Sequence, residues 1–466
     1  MSSSARWFGA DAEQLHQWDR DHVWHPFTPI DDYLASDAPV IVRGEGRRLQ
    51  DAAGRWYWDG SSSIWLNVHG HRDPDLDDAV RAQLAEIAHS TLLGQGNAVA
   101  SVLARRLVEV TPDGLEKVFF SDSGATAVEI ALKAAIQWFA NQGRPEKRHV
   151  VGFTDNYHGD TVGAMSVAPD PVFHWPFLSM LPEQPRIEYP YWLRHSSGST
   201  SPEDCLRATM NALEDLLARE GDTIAGVIVE PVEGAGGIRP APVGFLAELR
   251  RCCYAHDVLL IVDEVATGFG KTGSMFACDA ESITPDLLCL GKGLTGGYLP
   301  VAATMATDRV FDVFRGARRN TLFHGHSFTG NQLGCAVALA SLEKMPAVMD
   351  GLEARIEHVW RRLEPLRELP CVGDVRGRGM MVGVELVTDR ESMEPLPSDW
   401  RGGYQVTDRC RAQGLIVRPI GNTVIFMPPL SSTLDELDAM LDAFVAGFEE
   451  ATPLLAARVA AAEDRA

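Results

Sequence analysis

The sequence predicts an α/β protein, with a large domain built on a mainly parallel sheet and a smaller α+β domain after it. Between about Val80 and Met345, short apolar runs ("LEKVFFSD", "RHVVGFTD", "IAGVIVEP", "DVLLIVDE", "PDLLCLGK") alternate with helical patterns such as "GATAVEIALKAAIQWFA". Strands alternating with helices imply parallel pairing through crossover connections. After about Leu342 the pattern changes to a long amphipathic segment ("SLEKMPAVMDGLEARIEHVWRRLEPL"). Two segments that read as hairpin-forming strands follow ("GDVRGRGMMVGVELV" and "GLIVRPIGNTVIFMPPL"), then a final helix.

These shifts divide the chain into residues 1–70, an opening segment that contributes to the small domain, 71–345, the large domain, and 346–466, the small domain. In the opening segment, "PVIVRGEGRRLQDAAGRWYWDG" carries short strands with turn residues that could complete either domain. With 466 residues, 45% of them hydrophobic, the chain can bury a large core. The net charge of -22, with no long Lys/Arg run, argues against nucleic acid or an anionic membrane as partner. Eight scattered cysteines without C-x-x-C spacing read as reduced, packed thiols, which favours the cytoplasm. Neither an apolar signal core nor a bilayer-length apolar stretch is expected.

The strand ends carry the chemistry. "VLLIVDEVATGFGKTG" runs from a buried strand into Asp263 and Glu264 at the carboxyl edge of the sheet, where open α/β sheets bind ligands. A carboxylate there loses solvation and needs a partner. In "CLGKGLTGGYLP", Lys292 sits in a tight glycine turn after a strand, a place where desolvation prepares a lysine for Schiff-base chemistry. In "FFSDSGATAVEIALK", the free N–H groups at Gly124 and Ala125 open a helix and suit one phosphate, while Val128, Leu132, Ala135 and Phe139 form its apolar face. Tyr157, in "TDNYHGDTVGAMS", is an aromatic at a sheet edge, able to stack on a flat ring. His324 and His326 share a loop without a suitably placed Cys or carboxylate, so no metal is expected. Each feature alone has a plainer reading: a helix cap, a solvent-facing lysine, an ordinary strand-to-helix turn, a tyrosine covering the core. Together they supply a phosphate nest, an aromatic, a buried acid and a lysine on successive strand ends. These are the needs of pyridoxal 5'-phosphate, with Asp263 facing the pyridine nitrogen and Glu264 as the structural member of the pair.

The run "LLIVDEVATGFGKTGSMFACDAESITPDLLCLGKGLTGGYLP" resembles the signature of the class III, fold-type I pyridoxal-phosphate aminotransferases, and the resemblance covers about residues 20 to 450. It implies that Lys292 is the Schiff-base lysine and proton carrier, that Asp263 holds the pyridine nitrogen, and that Tyr157 contacts ring and substrate. Gly124 and Ala125 then take the phosphate, and His326 and Ser327 complete that site from the neighbouring subunit of a homodimer. "WHPFTP", "HSTLLG", "YHGDT", "HGHSFTGNQLGC" and "RPIGNTVIFMPP" resemble the branch that aminates 8-amino-7-oxononanoate to 7,8-diaminononanoate in biotin synthesis. In that branch Arg418 matches the arginine for the substrate carboxylate, and Gly325 also falls among the substrate-binding positions.

Two departures bear on the amino donor. Members that use S-adenosylmethionine carry a Tyr where this chain has Phe27, and two tryptophans where it has Ile64 and Trp65. "SSSIWLNVHGH" instead resembles the subgroup that uses L-lysine. Glu233 also stands where the branch usually shows Gln. The same cofactor residues fit a broader ω-amine:pyruvate or diamine transaminase; a non-catalytic phosphate-ligand binder would have no need of Lys292.

Overall fold

The computed structural model describes residues 9–171 and 173–463. Its centre is a seven-stranded sheet, formed by β1 (Leu115–Ser121), β2 (His149–Phe153), β3 (Arg186–Ile187), β4 (Ile224–Val229), β5 (Leu259–Asp263), β6 (Leu287–Leu290) and β7 (Ala302–Thr307). Their spatial order is β1-β7-β6-β5-β4-β2-β3. From β6 through β5, β4 and β2 to β3 every pairing is parallel. Strand β7 alone runs against both its neighbours. The Lys292 turn, with Gly296 and Gly297 at positive φ, reverses the chain directly after β6, and no crossover helix intervenes.

Every residue of β4, β5 and β6 is buried. This is the composition rule for a parallel sheet covered on both faces: near-continuous Val, Ile and Leu. The helix after β1, α1 (Gly124–Asn141), packs Val128, Ala135 and Phe139 at 0% exposure and Leu132 at 6%. The predicted apolar stripe therefore faces the sheet.

The segment after β7 breaks into two helices, Gln332–Met349 and Leu352–Leu363, rather than one amphipathic stretch. Gly351, at φ +67°, makes the break. Beyond them, Val372–Arg378 pairs antiparallel with Met381–Asp389, and Arg418–Ile420 with Thr423–Phe426; these are the two expected hairpins. The long helix Leu434–Glu463 follows. The opening strands Ile41–Glu45, Arg48–Asp51 and Trp56–Asp59 form a second sheet whose fourth member is Leu415–Ile416, parallel to Trp56–Asp59. The N-terminal segment thus joins the C-terminal part of the chain. All eight cysteines are free and buried. Among the described residues no helix is long and apolar enough to cross a membrane.

Candidate active site

Small residues draw three strand ends together. A side-chain carbon on Gly124 would come within 2.5 Å of Val265, two residues past Asp263, and one on Gly159 within 2.3 Å of Ala125. Gly291, just before Lys292, would place its carbon 3.6 Å from Gly124. The start of α1, the Tyr157 loop and the Lys292 turn therefore meet because glycine leaves room at each contact. Ser123 caps α1 by accepting from Thr126 N–H, and the first-turn N–H groups of Gly124 and Ala125 have no acceptor within the helix.

Asp263 is 4% exposed. Its Oδ2 lies 2.7 Å from His158 Nδ1, and its Oδ1 accepts from Val265 N–H at 3.0 Å. The carboxylate is thus fixed at the end of β5, as the sequence suggested, and His158 is the partner that reading left without a role. Glu264 points the other way: its carboxylate accepts from Ala277 N–H, Cys278 N–H and Thr267 O–H at 2.8–2.9 Å. It pins the chain that follows.

Lys292 stands in the left-handed region at φ +42°, with Nζ 4.6 Å from the centroid of a Trp65 ring. Burial lowers its pKa, against the opposing pull of Glu230 and Asp263. Glu230 closes strand β4 much as Asp263 closes β5, so the same signal, an acid ending an apolar run, was there to be read. Its carboxylate accepts from Tyr157 N–H at 2.8 Å and Gly234 N–H at 3.2 Å. Burial, more than any neighbour, pushes its pKa up to about 7. Lys271, in "GFGKTG", was also missed; it is 1% exposed and has no hydrogen-bond partner for Nζ among the described residues.

A cavity of about 310 Å³ opens above Lys292 and is lined by Phe27, Ile64, Trp65, Tyr157 and Arg418 among others. Arg418 donates from Nη2 to the Phe27 carbonyl at 3.0 Å, which seats the N-terminal segment over the hairpin. Tyr157 donates its hydroxyl to Asp160 at 2.7 Å. Ser62, Ser63, Ile64 and Trp65 form one left-handed helical turn, with φ between +49° and +68°. Such a conformation costs roughly 1–2 kcal/mol per L-residue, so surrounding contacts must hold it.

The loop of Gly325, His326 and Ser327 does not line this cavity. Gly325 and Ser327 are exposed, and His326 Nε2 lies 3.7 Å from Asp122, beside the start of α1. His324 faces Lys133 instead, with 3.2 Å between Nδ1 and Nζ. Glu233 is fully buried, accepts from Asn156 Nδ2 at 3.0 Å, and is held by burial well above the usual carboxylate range. Its other oxygen faces Arg239, with Nη1 3.6 Å from Oε2.

The residues present fit pyridoxal phosphate. A desolvated lysine, a braced acid and a helix start whose first two N–H groups lack a helical acceptor converge behind an apolar-walled cavity.

The class-III aminotransferase family matches residues 34–448. An adenosylmethionine-8-amino-7-oxononanoate aminotransferase of Geobacter sulfurreducens is 46% identical over 437 residues, 93% of this chain and 96% of its own length. The crystal structure of an enzyme with that name from Methanocaldococcus jannaschii superposes with a TM-score of 0.89 at 41% identity, covering 94% of this chain and 99% of its own. An amine transaminase from an uncultivated Pseudomonas species, in its PLP-bound form, gives 0.88 at 32% identity, over 92% and 99% of the two chains. With the family match spanning most of the chain and relatives this similar over nearly their whole length, the chain belongs to the class III aminotransferases, pyridoxal-phosphate enzymes of α/β, fold-type I architecture.

Proposed function

We propose that this aminotransferase converts 8-amino-7-oxononanoate to 7,8-diaminononanoate in biotin biosynthesis, and that it favours L-lysine over S-adenosylmethionine as amino donor. The observation that carries the reading is the cavity itself, in which Arg418 and Lys292 line one space walled by Phe27, Ile64 and Trp65. The planar guanidinium of Arg418 suits the distal carboxylate of the keto acid. With Phe27 and Ile64 at the positions where S-adenosylmethionine users carry Tyr and Trp, that side of the cavity offers one phenyl and one indole, which suits a slim aliphatic donor better than a bulky sulfonium nucleoside that gains from aromatic faces.

Bound pyridoxal phosphate supplies an electron sink that makes the substrate Cα–H acidic. In this reading Lys292 Nζ would carry that proton between the substrate carbon and the cofactor, aided by the desolvation that lowers its pKa. Asp263, oriented by His158, holds a proton on the pyridine nitrogen. Gly124 and Ala125 donate to the phosphate, Tyr157 positions ring and substrate, and the apolar walls exclude water. His326 and Ser327, with Gly325, act on the partner's site in a homodimer. The exposure of Gly325 and Ser327, beside the exposed Leu93, Phe323 and Phe328, supports a second copy there. The division at residues 70 and 345 and a cytoplasmic location belong to the same reading, the second supported by eight free thiols.

The test is a half-reaction without acceptor. Holoenzyme mixed with L-lysine should lose its visible cofactor band faster than with S-adenosylmethionine. Bleaching by S-adenosylmethionine alone would overturn the donor, and pyruvate outperforming the keto acid as acceptor would favour the broader ω-transaminase.

A further inference from the structure

The left-handed turn at Ser62–Trp65 needs something to hold it, and the contacts identify what does. Its own bonds, Trp65 N–H to Ser61 O at 2.8 Å and Leu66 N–H to Ser62 O at 2.9 Å, exist only while the turn is wound. Two anchors come from outside. Ser62 donates its hydroxyl to the Met427 carbonyl at 2.6 Å. Asp59, 1% exposed, accepts from Ser63 N–H at 2.9 Å and from Ser63 O–H at 2.7 Å, so both polar hydrogens of one left-handed residue end on one carboxylate.

That carboxylate is itself braced. His71 Nε2 lies 2.9 Å from Asp59 Oδ2, Asn67 Nδ2 lies 3.2 Å from His71 Nδ1, and Asn67 Oδ1 accepts from Gly70 N–H at 2.6 Å. Asp59, Ser63 and His71 thus superficially resemble a nucleophile triad. Yet the Ser63 hydroxyl and His71 Nε2 meet the same Asp59 oxygen, so the serine donates to the acid and not to the histidine. The arrangement is a clamp. What it clamps is the wall of the cavity: Ile64 and Trp65 both line it, and Trp65 stands beside Lys292. Ile64 shows the force involved, since a β-branched residue at φ +64° avoids this region unless it is imposed.

We propose that Asp59, braced by His71, is a positioning residue that keeps Ser62–Trp65 in the left-handed turn and thereby fixes Trp65 beside Lys292. This rests on the assignment of the cavity as the cofactor and substrate site. Asp59 touches neither; it acts through Ser63.

The experiment uses holoenzyme and reads the visible circular dichroism of the bound cofactor, normalised to its absorbance. Asp59→Ala should retain the absorbance, since Lys292 and Asp263 are untouched, but lose at least about half of the dichroism, because the indole beside the cofactor is no longer fixed. Adding Ser63→Gly to that variant should restore part of the signal, because glycine adopts positive φ without the cost the clamp offsets. A merely stabilising Asp59 would lower the melting temperature and leave the dichroism alone. If Asp59→Ala does not fold, Asp59→Asn serves. It keeps one acceptor for Ser63 N–H but turns an amide toward Ser63 O–H and His71, and should show a smaller loss of the same sign. Unchanged dichroism in the variant measured, or a loss that Ser63→Gly does nothing to restore, overturns the proposal. Lys292→Ala run in parallel isolates the other failure: cofactor that borohydride still fixes covalently to the chain there would sink the site assignment and leave the clamp to be judged on its own signal.

Discussion

Replacing Lys271 by methionine removes an ammonium group from one of the driest places in the protein while keeping nearly the same shape. The side chain is 1% exposed, and its Nζ packs where a carbon on Gly293 would lie only 3.1 Å away. Burial, together with the charge of nearby Lys292, lowers its pKa from 10.5 to about 7. At 1.36 kcal/mol per tenfold change in Ka, that difference corresponds to about 5 kcal/mol. The sign follows from proton counting. Between pH 7 and 10.5 the unfolded chain carries a proton on Lys271 that the fold has released, so the unfolded state binds more protons and stability rises with pH. Below pH 7 the fold bears the whole penalty. Lys271→Met should therefore melt above the parent at pH 7, by roughly 4–5 °C for a chain of this size, and the gap should close toward pH 10. Differential scanning calorimetry at one scan rate, from pH 7 to 10 in steps, gives the difference curve directly. A gap that stays flat with pH, or a variant that melts below the parent at pH 7, would refute the reasoning.

Glu230→Gln tests the opposite slope. The fold holds a proton on Glu230 up to about pH 7 that the unfolded chain releases near 4.5, so this group's contribution falls across that window and the full cost, about 3 kcal/mol, is present above it. The Gln amide strands one of the two N–H donors at every pH, a constant cost, so the variant's melting temperature relative to the parent's should rise from pH 5 to pH 8; an unchanged difference would count against the burial argument. Arg418→Ala should raise the apparent KM for the keto acid far more than it weakens cofactor binding, by a factor equivalent to about 2–5 kcal/mol for one truncated side of a desolvated charge pair, as steady-state kinetics and cofactor titration would show. Glu264→Ala leaves Ala277 N–H, Cys278 N–H and Thr267 O–H without their acceptor. At about 1–3 kcal/mol for each stranded buried group it should cost several kcal/mol in a denaturant titration, and a loss under about 1 kcal/mol would show that the loop repairs itself.

The parts of this protein that were legible in the sequence are those where a local rule and the tertiary fold agree. The run into Asp263 reads as a buried strand because five apolar residues in a row have no other comfortable home, and the acid at its end lies where a sheet edge puts it. Lys292 was legible from its glycines. The stripe on Gly124–Asn141 was legible from its period. What escaped were residues whose importance comes from a partner distant in sequence. His158 stands next to Tyr157, but nothing local says that it turns toward Asp263, 105 residues on. Lys271 in a glycine-rich loop has the look of a surface lysine, and only the packing of Gly293 and Phe269 around it shows otherwise. The left-handed conformation of Ile64 was hidden for a stronger reason, since the propensity of isoleucine argues against it.

The pairing of Trp56–Asp59 with Leu415–Ile416 also has a consequence for how the molecule comes to exist. Trp58 N–H reaches Gly414 O at 2.7 Å and Gly60 N–H reaches Ile416 O at 2.9 Å, contacts that span most of the polypeptide. On a ribosome the N-terminal strands emerge first and must wait, their fourth partner unmade, until nearly the whole chain has been translated. The central sheet has no such delay, because its parallel strands arise in one continuous stretch. The floor holding Asp263 and Lys292 can therefore form during synthesis, while the wall carrying Phe27, Ile64 and Trp65 closes only at the end, when residues near 415 arrive. A nascent chain stalled before that point would display an open crevice, and the late-arriving C-terminal segment would convert it into an enclosed chamber.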